Sequence, residues 1–223
     1  MKKDGYEYVL FDLDGTVVDV SPWYVTSVID RVGETIGYQF SDHQAERLWH
    51  GLGGSPDQLL DVWGIDSSTF WQAFHDIESA EDRAAATFLY PDAEQISHIE
   101  QPVGLVTHCQ PYLTEPVLDH LDIADWFDTI VCCHDDLGWK PAAEPIRHAR
   151  SKLAVNERSD GVLIGDSAID IGAAWNAGID GIHIERHGHD RRGCCIRADT
   201  QVDTLTELFD STEHTITADP IPY

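Results

Sequence analysis

Five short apolar runs punctuate the chain: Tyr6 to Phe11, Val103 to Thr107, Thr129 to Cys133, Val162 to Gly165 and Gly181 to Ile184. Each is close to continuous in apolar character rather than alternating, the pattern of a strand buried on both faces, as in a parallel sheet. Helix-like stretches follow at 111–121, 143–154 and 167–177. This alternation predicts an α/β fold with helices on both faces of the sheet. A final helix is expected from Val202 to Phe209, and the tail from Thr212 to Tyr223 reads as frayed.

About ninety residues separate the first two runs, too many for a simple crossover. Within them, residues 21–36, 41–50, 56–63 and 67–86 read as four helices. Ser21-Pro22, Ser41-Asp42 and Ser55-Pro56 supply N-cap and first-turn signals. Gly33, Gly37, Gly51, Gly53-Gly54 and Gly64 mark the breaks. The expected organisation is a core of residues 1–18 and 89–223, with a helical cap of 19–88 placed over the carboxyl edge of the sheet.

Charge changes the picture next. Four Lys and ten Arg stand against twenty-seven Asp and thirteen Glu, a net charge of −26 spread along the chain. That pattern speaks against a nucleic-acid partner, because phosphate backbones need a basic surface. An acidic, Lys-poor surface resembles that of proteins from salt-loving archaea, where salt screens self-repulsion, and predicts a high-salt cytosol. No run of roughly 18 apolar residues exists to cross a membrane. The start, Met1-Lys2-Lys3-Asp4-Gly5, lacks the apolar centre of a signal peptide. The expectation is a cytoplasmic protein, monomer or homodimer. Cys109, Cys132-Cys133 and Cys194-Cys195 make an odd count without Cys-x-x-Cys spacing, which favours buried or idle thiols over a disulfide framework.

The candidate chemistry lies at the ends of the apolar runs. Phe11 is followed by Asp12-Leu13-Asp14-Gly15-Thr16. Two carboxylates on one side of an extended chain repel, and a cation or a shared proton must compensate; Mg²⁺ suits carboxylate oxygen with room for water and phosphate. The same segment also reads as a strand ending in an Asp-Gly turn. Thr107 ends the second run, with a hydroxyl and following amides suited to a phosphate oxygen, or simply ends a strand. Lys140, the only lysine between Lys3 and Lys152, suits phosphate or a carboxylate pair, or solvent. The fourth run leads into Gly165-Asp166-Ser167-Ala168-Ile169-Asp170, whose acids fit a metal site with Asp12 or a helix cap. What separates these readings is placement: four motifs at the ends of four successive predicted strands.

That order resembles the four-motif pattern of the haloacid dehalogenase superfamily, from residue 6 to about 184. The resemblance implies a Rossmann-like core with an inserted four-helix cap. It implies Asp12 as a nucleophile forming an aspartyl-phosphate and Asp14 as general acid and then base. Thr107 and Lys140 would bind the phosphoryl group, and Gly15 and Thr16 would bind substrate. Mg²⁺ would be held by Asp12, Asp166, the main-chain carbonyl of Asp14, and Asp170 as ligand or support. Asp14 argues for phosphoryl transfer over dehalogenation, since only an alkoxide needs the proton. The insertion contains no lysine for a phosphonatase Schiff base. Its cations, Arg31, Arg47 and Arg83, are few for gripping a second phosphate, which favours a monophosphate ester hydrolase, similar to phosphoglycolate phosphatases, over a mutase similar to β-phosphoglucomutase. A non-catalytic member binding a metabolite or a protein is the reading from another class. His108 stands where the family often has Asn, and either contacts substrate or is idle. Gly53, Gly54 and Ser55 lie in a glycine-containing loop that either receives a small carboxylate on its amides or is an interhelical turn. The segment from His183 to Cys195 is expected to be an exposed loop or hairpin.

Overall fold

Tyr8–Phe11 forms the first strand, β1, and every residue in it is buried. The computed structural model describes residues 5–208; the tail expected to fray from Thr212, and Phe209, lie outside them. The first part of the chain continues with β2 (Val18–Val20), α1 (Pro22–Ile36), α2 (Asp42–His50), α3 (Pro56–Val62), α4 (Ser67–Ile77), α5 (Ala80–Ala86) and β3 (Thr87–Leu89). Then come β4 (Val103–Thr107), α6 (Pro111–Leu121), β5 (Thr129–Cys132), α7 (Glu144–Lys152), β6 (Gly161–Gly165), α8 (Ala168–Ala177), β7 (Asp180–Ile184), α9 (His189–Arg192) and β8 (Thr200–Val202).

The six-stranded sheet runs β5-β4-β1-β6-β7-β8, and each neighbouring pair is parallel. The chain fills one side of β1 with β4 and β5, then crosses to the other with β6, β7 and β8. The switch point therefore lies at the carboxyl end of β1, where open α/β sheets bind ligands. Alternation along the strands feeds two cores. Val9 and Phe11 pack with Leu105, Ile164 and Ile182 on one face, while Tyr8 and Leu10 pack with Val106, Leu163, Ile146 and Ala173 on the other. Tyr8 fits because its register partner is Gly161, where a Cβ would lie 2.0 Å from the tyrosine Cζ. The architecture is an α/β Rossmann-like sheet with flanking helices.

The residues fall into two compact units: 5–19, 89–186 and 196–208 in the sheet-containing unit, and Val20–Phe88 with His187–Cys195 in a helical unit. The helical unit has its own core, in which Tyr24, Val28, Ile29, Phe40, Leu48, Leu60 and Phe70 are buried together. Ser41 and Ser55 each close a capping box, with Gln44 and Gln58 respectively.

Four local expectations are corrected. The stretch 67–86 is not one helix: Glu78 and Ser79 are extended, and the Ser79 side chain caps α5 by accepting from the Asp82 amide. The insertion thus carries five helices rather than four. Residues 202–209 are not a helix, because Thr200–Val202 pairs with β7, Ile184 opposite Val202, and only Leu205–Leu208 turns, as a 3₁₀ helix. The segment from His183 to Cys195 is only partly an exposed loop: residues 188–191 and 193–195 are exposed, but His183 is buried within β7, His187 and Arg192 are buried, and His189–Arg192 forms α9. Finally, residues 187–195, expected in the core by position in the chain, cluster with the helical unit and bring it Arg191 and Arg192.

Candidate active site

The carboxyl ends of β1, β4, β5 and β6 bring together side chains distant in sequence. Asp12 follows β1, and its amide donates to Ile164 O at 2.9 Å, continuing the ladder one residue beyond the strand. Thr107 closes β4, Asp166 follows β6, and Lys140 comes from the loop after β5. Asp12, Thr107, Lys140, Asp166 and Asp170 are all buried, each no more than 7 % exposed.

Lys140 is the hub. Its Nζ lies 2.5 Å from Asp12 Oδ1 and 2.7 Å from Asp170 Oδ1, and donates to Val106 O at 2.9 Å. Burial alone would depress a lysine, but Asp12 and Asp170 more than offset it and hold Lys140 well above its ordinary range. Burial pushes Asp12 up to about 7, with Asp170 and Asp14 adding to the rise and Lys140 opposing it. Asp170 is also buried, but Lys140 and the Ser167 hydroxyl bring it below its ordinary value. Ser167 donates to Asp170 Oδ2 through both its hydroxyl and its amide, the latter at 3.1 Å. That cap fixes the Asp170 carboxylate at the start of α8.

Asp12, Asp166 and Asp170 each offer a carboxylate oxygen, and these lie within 4.8 Å of one another. Three buried acids this close have the charge and the oxygen donors of a hard-cation site. Two glycines permit the approach. A Cβ on Gly15, whose φ is +78°, would sit 2.6 Å from Asp166 Oδ2, and one on Gly165 would sit 2.4 Å from Asp170 Cγ. We expect Gly15→Ala to weaken divalent-cation binding at least tenfold, because it adds backbone strain and displaces a carboxylate. Isothermal titration with Mg²⁺ checks this; unchanged affinity would mean that Asp166 is not a ligand.

The structure places the other candidates as follows. Asp14 is half-buried beside the triad, and its side chain is not one of the three clustered carboxylates. Thr107 Oγ1 accepts from the Cys109 amide at 2.9 Å, closing the turn after β4. Thr16 is fully buried, its side chain turned into the fold. Gly53, Gly54 and Ser55 belong to the helical unit. There the Ser55 hydroxyl caps α3, and Gly53 leaves space for Arg47, whose Nη2 would be 2.7 Å from a Cβ.

His108 is half-buried with its ring edge-to-face against Trp139, centroids 5.3 Å apart. Burial first, then Lys140, lowers its pKa to about 4, so the ring is neutral at pH 7. In the helical unit, burial likewise lowers His50 to about 4, and its ring lies 4.3 Å from that of His187. Both are depressed below the unfolded value near 6.5, so the unfolded chain takes up protons first. Their contribution to stability is complete above pH about 6.5 and is lost as pH falls toward about 4. Urea unfolding across that window should show a falling midpoint, with both imidazoles still neutral by NMR at pH 5. Titration of either near 6.5 would remove its share.

Two side chains that shape the site are not assigned to it by the sequence, which offers His183 only as one of three histidines, with His187 and His189, that invite a metal guess. His183 Nε2 lies 3.0 Å from Asp166 O, so the imidazole holds the main chain of a triad residue. Arg186 Nη2 donates to Thr16 O at 2.9 Å. Neither has a local sequence signal; both depend on β7 lying beside β6.

Comparison with known proteins agrees with this arrangement. The family model of the haloacid dehalogenase-like hydrolases matches residues 9–184. A phosphoglycolate phosphatase of Nitrosococcus oceani is 26% identical over 91% of this chain and 94% of its own. A plasmid-borne phosphoglycolate phosphatase of Cupriavidus necator is 28% identical over 90% of each. Pyrophosphatase PpaX of Bacillus velezensis is 25% identical over 76% of this chain and 79% of its own. Among solved structures, a HAD phosphatase of Thermococcus onnurineus aligns at TM-score 0.62 with 25% identity, covering 91% of this chain and 95% of its own. A Lactobacillus plantarum protein shares the fold at TM-score 0.72 with 21% identity, over 91% and 97%. With the fold, the four strand-end motifs and a family match over most of its length, the chain belongs to the haloacid dehalogenase-like hydrolases.

Proposed function

We propose that the protein is a Mg²⁺-dependent phosphatase of a small phosphomonoester, acting through a phosphorylated Asp12. The observation that carries the reading is the buried Asp12–Lys140–Asp170 chain with Asp166 alongside, at the switch point of the sheet. Asp12, Asp166 and Asp170, with the main-chain carbonyl of Asp14, would hold Mg²⁺, which when bound supplies positive charge against the phosphoryl oxygens. Lys140 holds the Asp12 carboxylate and, with Thr107, binds the transferring group.

An Asp12 oxygen forms a bond to phosphorus as the ester P–O bond breaks, and Asp14 gives its proton to the departing alkoxide. Asp14, now a carboxylate, takes a proton from water as that water attacks the phosphorus. The P–O bond to Asp12 breaks and inorganic phosphate leaves. Positioning and charge do most of the work in such transfers. The phosphoglycolate phosphatases among the relatives make phosphoglycolate the first substrate to try.

The second reading is a sugar-phosphate mutase, whose turnover needs a bisphosphate activator. The test is phosphate release from phosphoglycolate, sugar phosphates, nucleotides and pyrophosphate, with Mg²⁺ in molar KCl to screen the net charge of −26. Metal-dependent release supports the phosphatase. Isomerisation that requires a bisphosphate supports the mutase, and neither from a folded, Mg²⁺-binding protein overturns both.

A further inference from the structure

The turn that presents Asp14 is held from outside the four motif segments. Within the turn, Leu13 O accepts from the amides of Thr16, Val17 and Val18 at 3.3, 2.9 and 3.1 Å, and the Gly15 amide donates to Val18 O at 2.8 Å. Two further carbonyls of the turn, those of Thr16 and Val17, are taken by distant residues. Arg186, just past β7, donates Nη2 to Thr16 O at 2.9 Å, and the Tyr90 amide donates to Val17 O at 3.1 Å.

Arg186 uses both terminal nitrogens and the face of its guanidinium. Nη1 donates to Asp92 Oδ2 at 2.8 Å, an oxygen that also accepts from the Leu205 amide at 2.7 Å. Its face lies 4.1 Å from the centre of the Tyr90 ring, and the Tyr90 hydroxyl donates to Asp19 Oδ2 at 2.9 Å. The Arg186 side chain is 6% exposed. The pair with Asp92 alone would tie β7 to the segment after β3, and a lysine could make it. Only the planar fork can bind a carboxylate with one arm and a carbonyl with the other while stacking on an aromatic ring.

We propose that Arg186 is a positioning residue for the reaction: by fixing Thr16 O it fixes the turn that aims Asp14 at the leaving-group oxygen. The inference rests on the reading of Asp14 as general acid, and it makes a demand that mere bracing of the fold does not. Loss of Arg186 must harm substrates in proportion to their need for a proton. An alkyl phosphate releases an alkoxide and needs one; p-nitrophenyl phosphate releases a stable phenolate and does not.

The experiment compares kcat/KM, which reports the step that expels the leaving group, for the best alkyl phosphate of the panel and for p-nitrophenyl phosphate. Wild type, Asp14→Asn, Arg186→Met and Arg186→Lys are measured in the same buffer. Asp14→Asn sets the scale: a large loss on the alkyl ester and a small one on the aryl ester. Arg186→Met is expected to lose about 10²-fold on the alkyl ester, the effect of roughly 1 Å of misplacement, and under about threefold on the aryl ester. Arg186→Lys keeps the Asp92 pair, serves if the methionine variant does not fold, and should fall between Arg186→Met and wild type. If Asp14→Asn lowers both esters equally, Asp14 is not the acid, and the proposal falls with that reading. If Asp14→Asn is selective while the folded Arg186 variants lose equally on both esters or on neither, Arg186 only braces the fold and the proposal alone is overturned.

Discussion

Asp12→Asn is expected to lower metal-dependent phosphate release by on the order of 10⁴-fold or more, with the fold intact. The amide keeps the shape of the side chain and an oxygen for the Lys140 ammonium, now 2.5 Å from Asp12 Oδ1. What it loses is the proposed nucleophile: a neutral amide oxygen would not form the bond to phosphorus assigned to the carboxylate. It also removes a buried carboxyl whose pKa is raised by burial first and then by repulsion from Asp170 and Asp14. The variant should therefore melt no lower than wild type in metal-free molar KCl. Activity and stability move apart, which a damaged fold would not allow. Near-wild-type turnover by Asp12→Asn would end the covalent mechanism, whatever the metal dependence.

Much of this site was legible because the fold writes its strand ends into the sequence. Of the five apolar runs, β1, β4, β6 and β7 are buried on both faces, whereas β5 lies at the sheet edge with Ile130 exposed; four of the five lead into Asp12, Thr107, the Lys140 loop and Asp166. The three-residue strands β2, β3 and β8 were not legible, since three residues carry too little pattern to separate a strand from a loop. Val202, Leu205 and Leu208 are buried at a spacing of three, which mimics a helix face. What decides for a strand at Thr200–Val202 is its pairing with β7, and no local residue records that. The break at Glu78–Ser79 was readable in principle, as Ser79 followed by Asp82 is a helix-start pattern. It was masked by an otherwise continuous run of helix-compatible residues.

The residues hardest to find are those whose role is supplied entirely by the topology. His183 looks like one of several histidines in a polar stretch until β7 sets it against the Asp166 carbonyl. Arg186 and Asp92 are 94 positions apart. Their pair, and the hold on Thr16 O, exist only because the ends of β7 and β1 lie on the same edge of one sheet. Residues that bear chemistry are restricted in type and cluster into motifs, whereas residues that hold them need only the right donor in the right place.

Lys140→Met should produce the largest combined loss, in both stability and rate. The methionine side chain fills most of the space of the lysine stem but leaves Asp12 and Asp170 buried without their shared cation. Stripping one partner from a buried ion pair costs about 3–5 kcal/mol. At about 2–4 °C per kcal/mol for a chain of this size, the melting temperature falls by roughly 10 °C in metal-free buffer. Removing the charge that the proposed mechanism aims at the transferring group should lower turnover by about 10²–10³-fold as well. The two losses separate on addition of Mg²⁺ or on a second substitution. A divalent cation supplies charge to the carboxylates, so it should recover much of the melting temperature. Lys140→Met/Asp170→Asn, which removes one of the abandoned acids, should recover stability even without metal. Neither should recover the rate, because neither returns an ammonium to the phosphoryl group. Calorimetric melts and phosphate release on the same preparations decide the matter. A Lys140→Met protein that melts like wild type would show that the buried acids do not depend on this lysine. One whose turnover in Mg²⁺ matches that of wild type would show that Lys140 serves the fold and not the reaction.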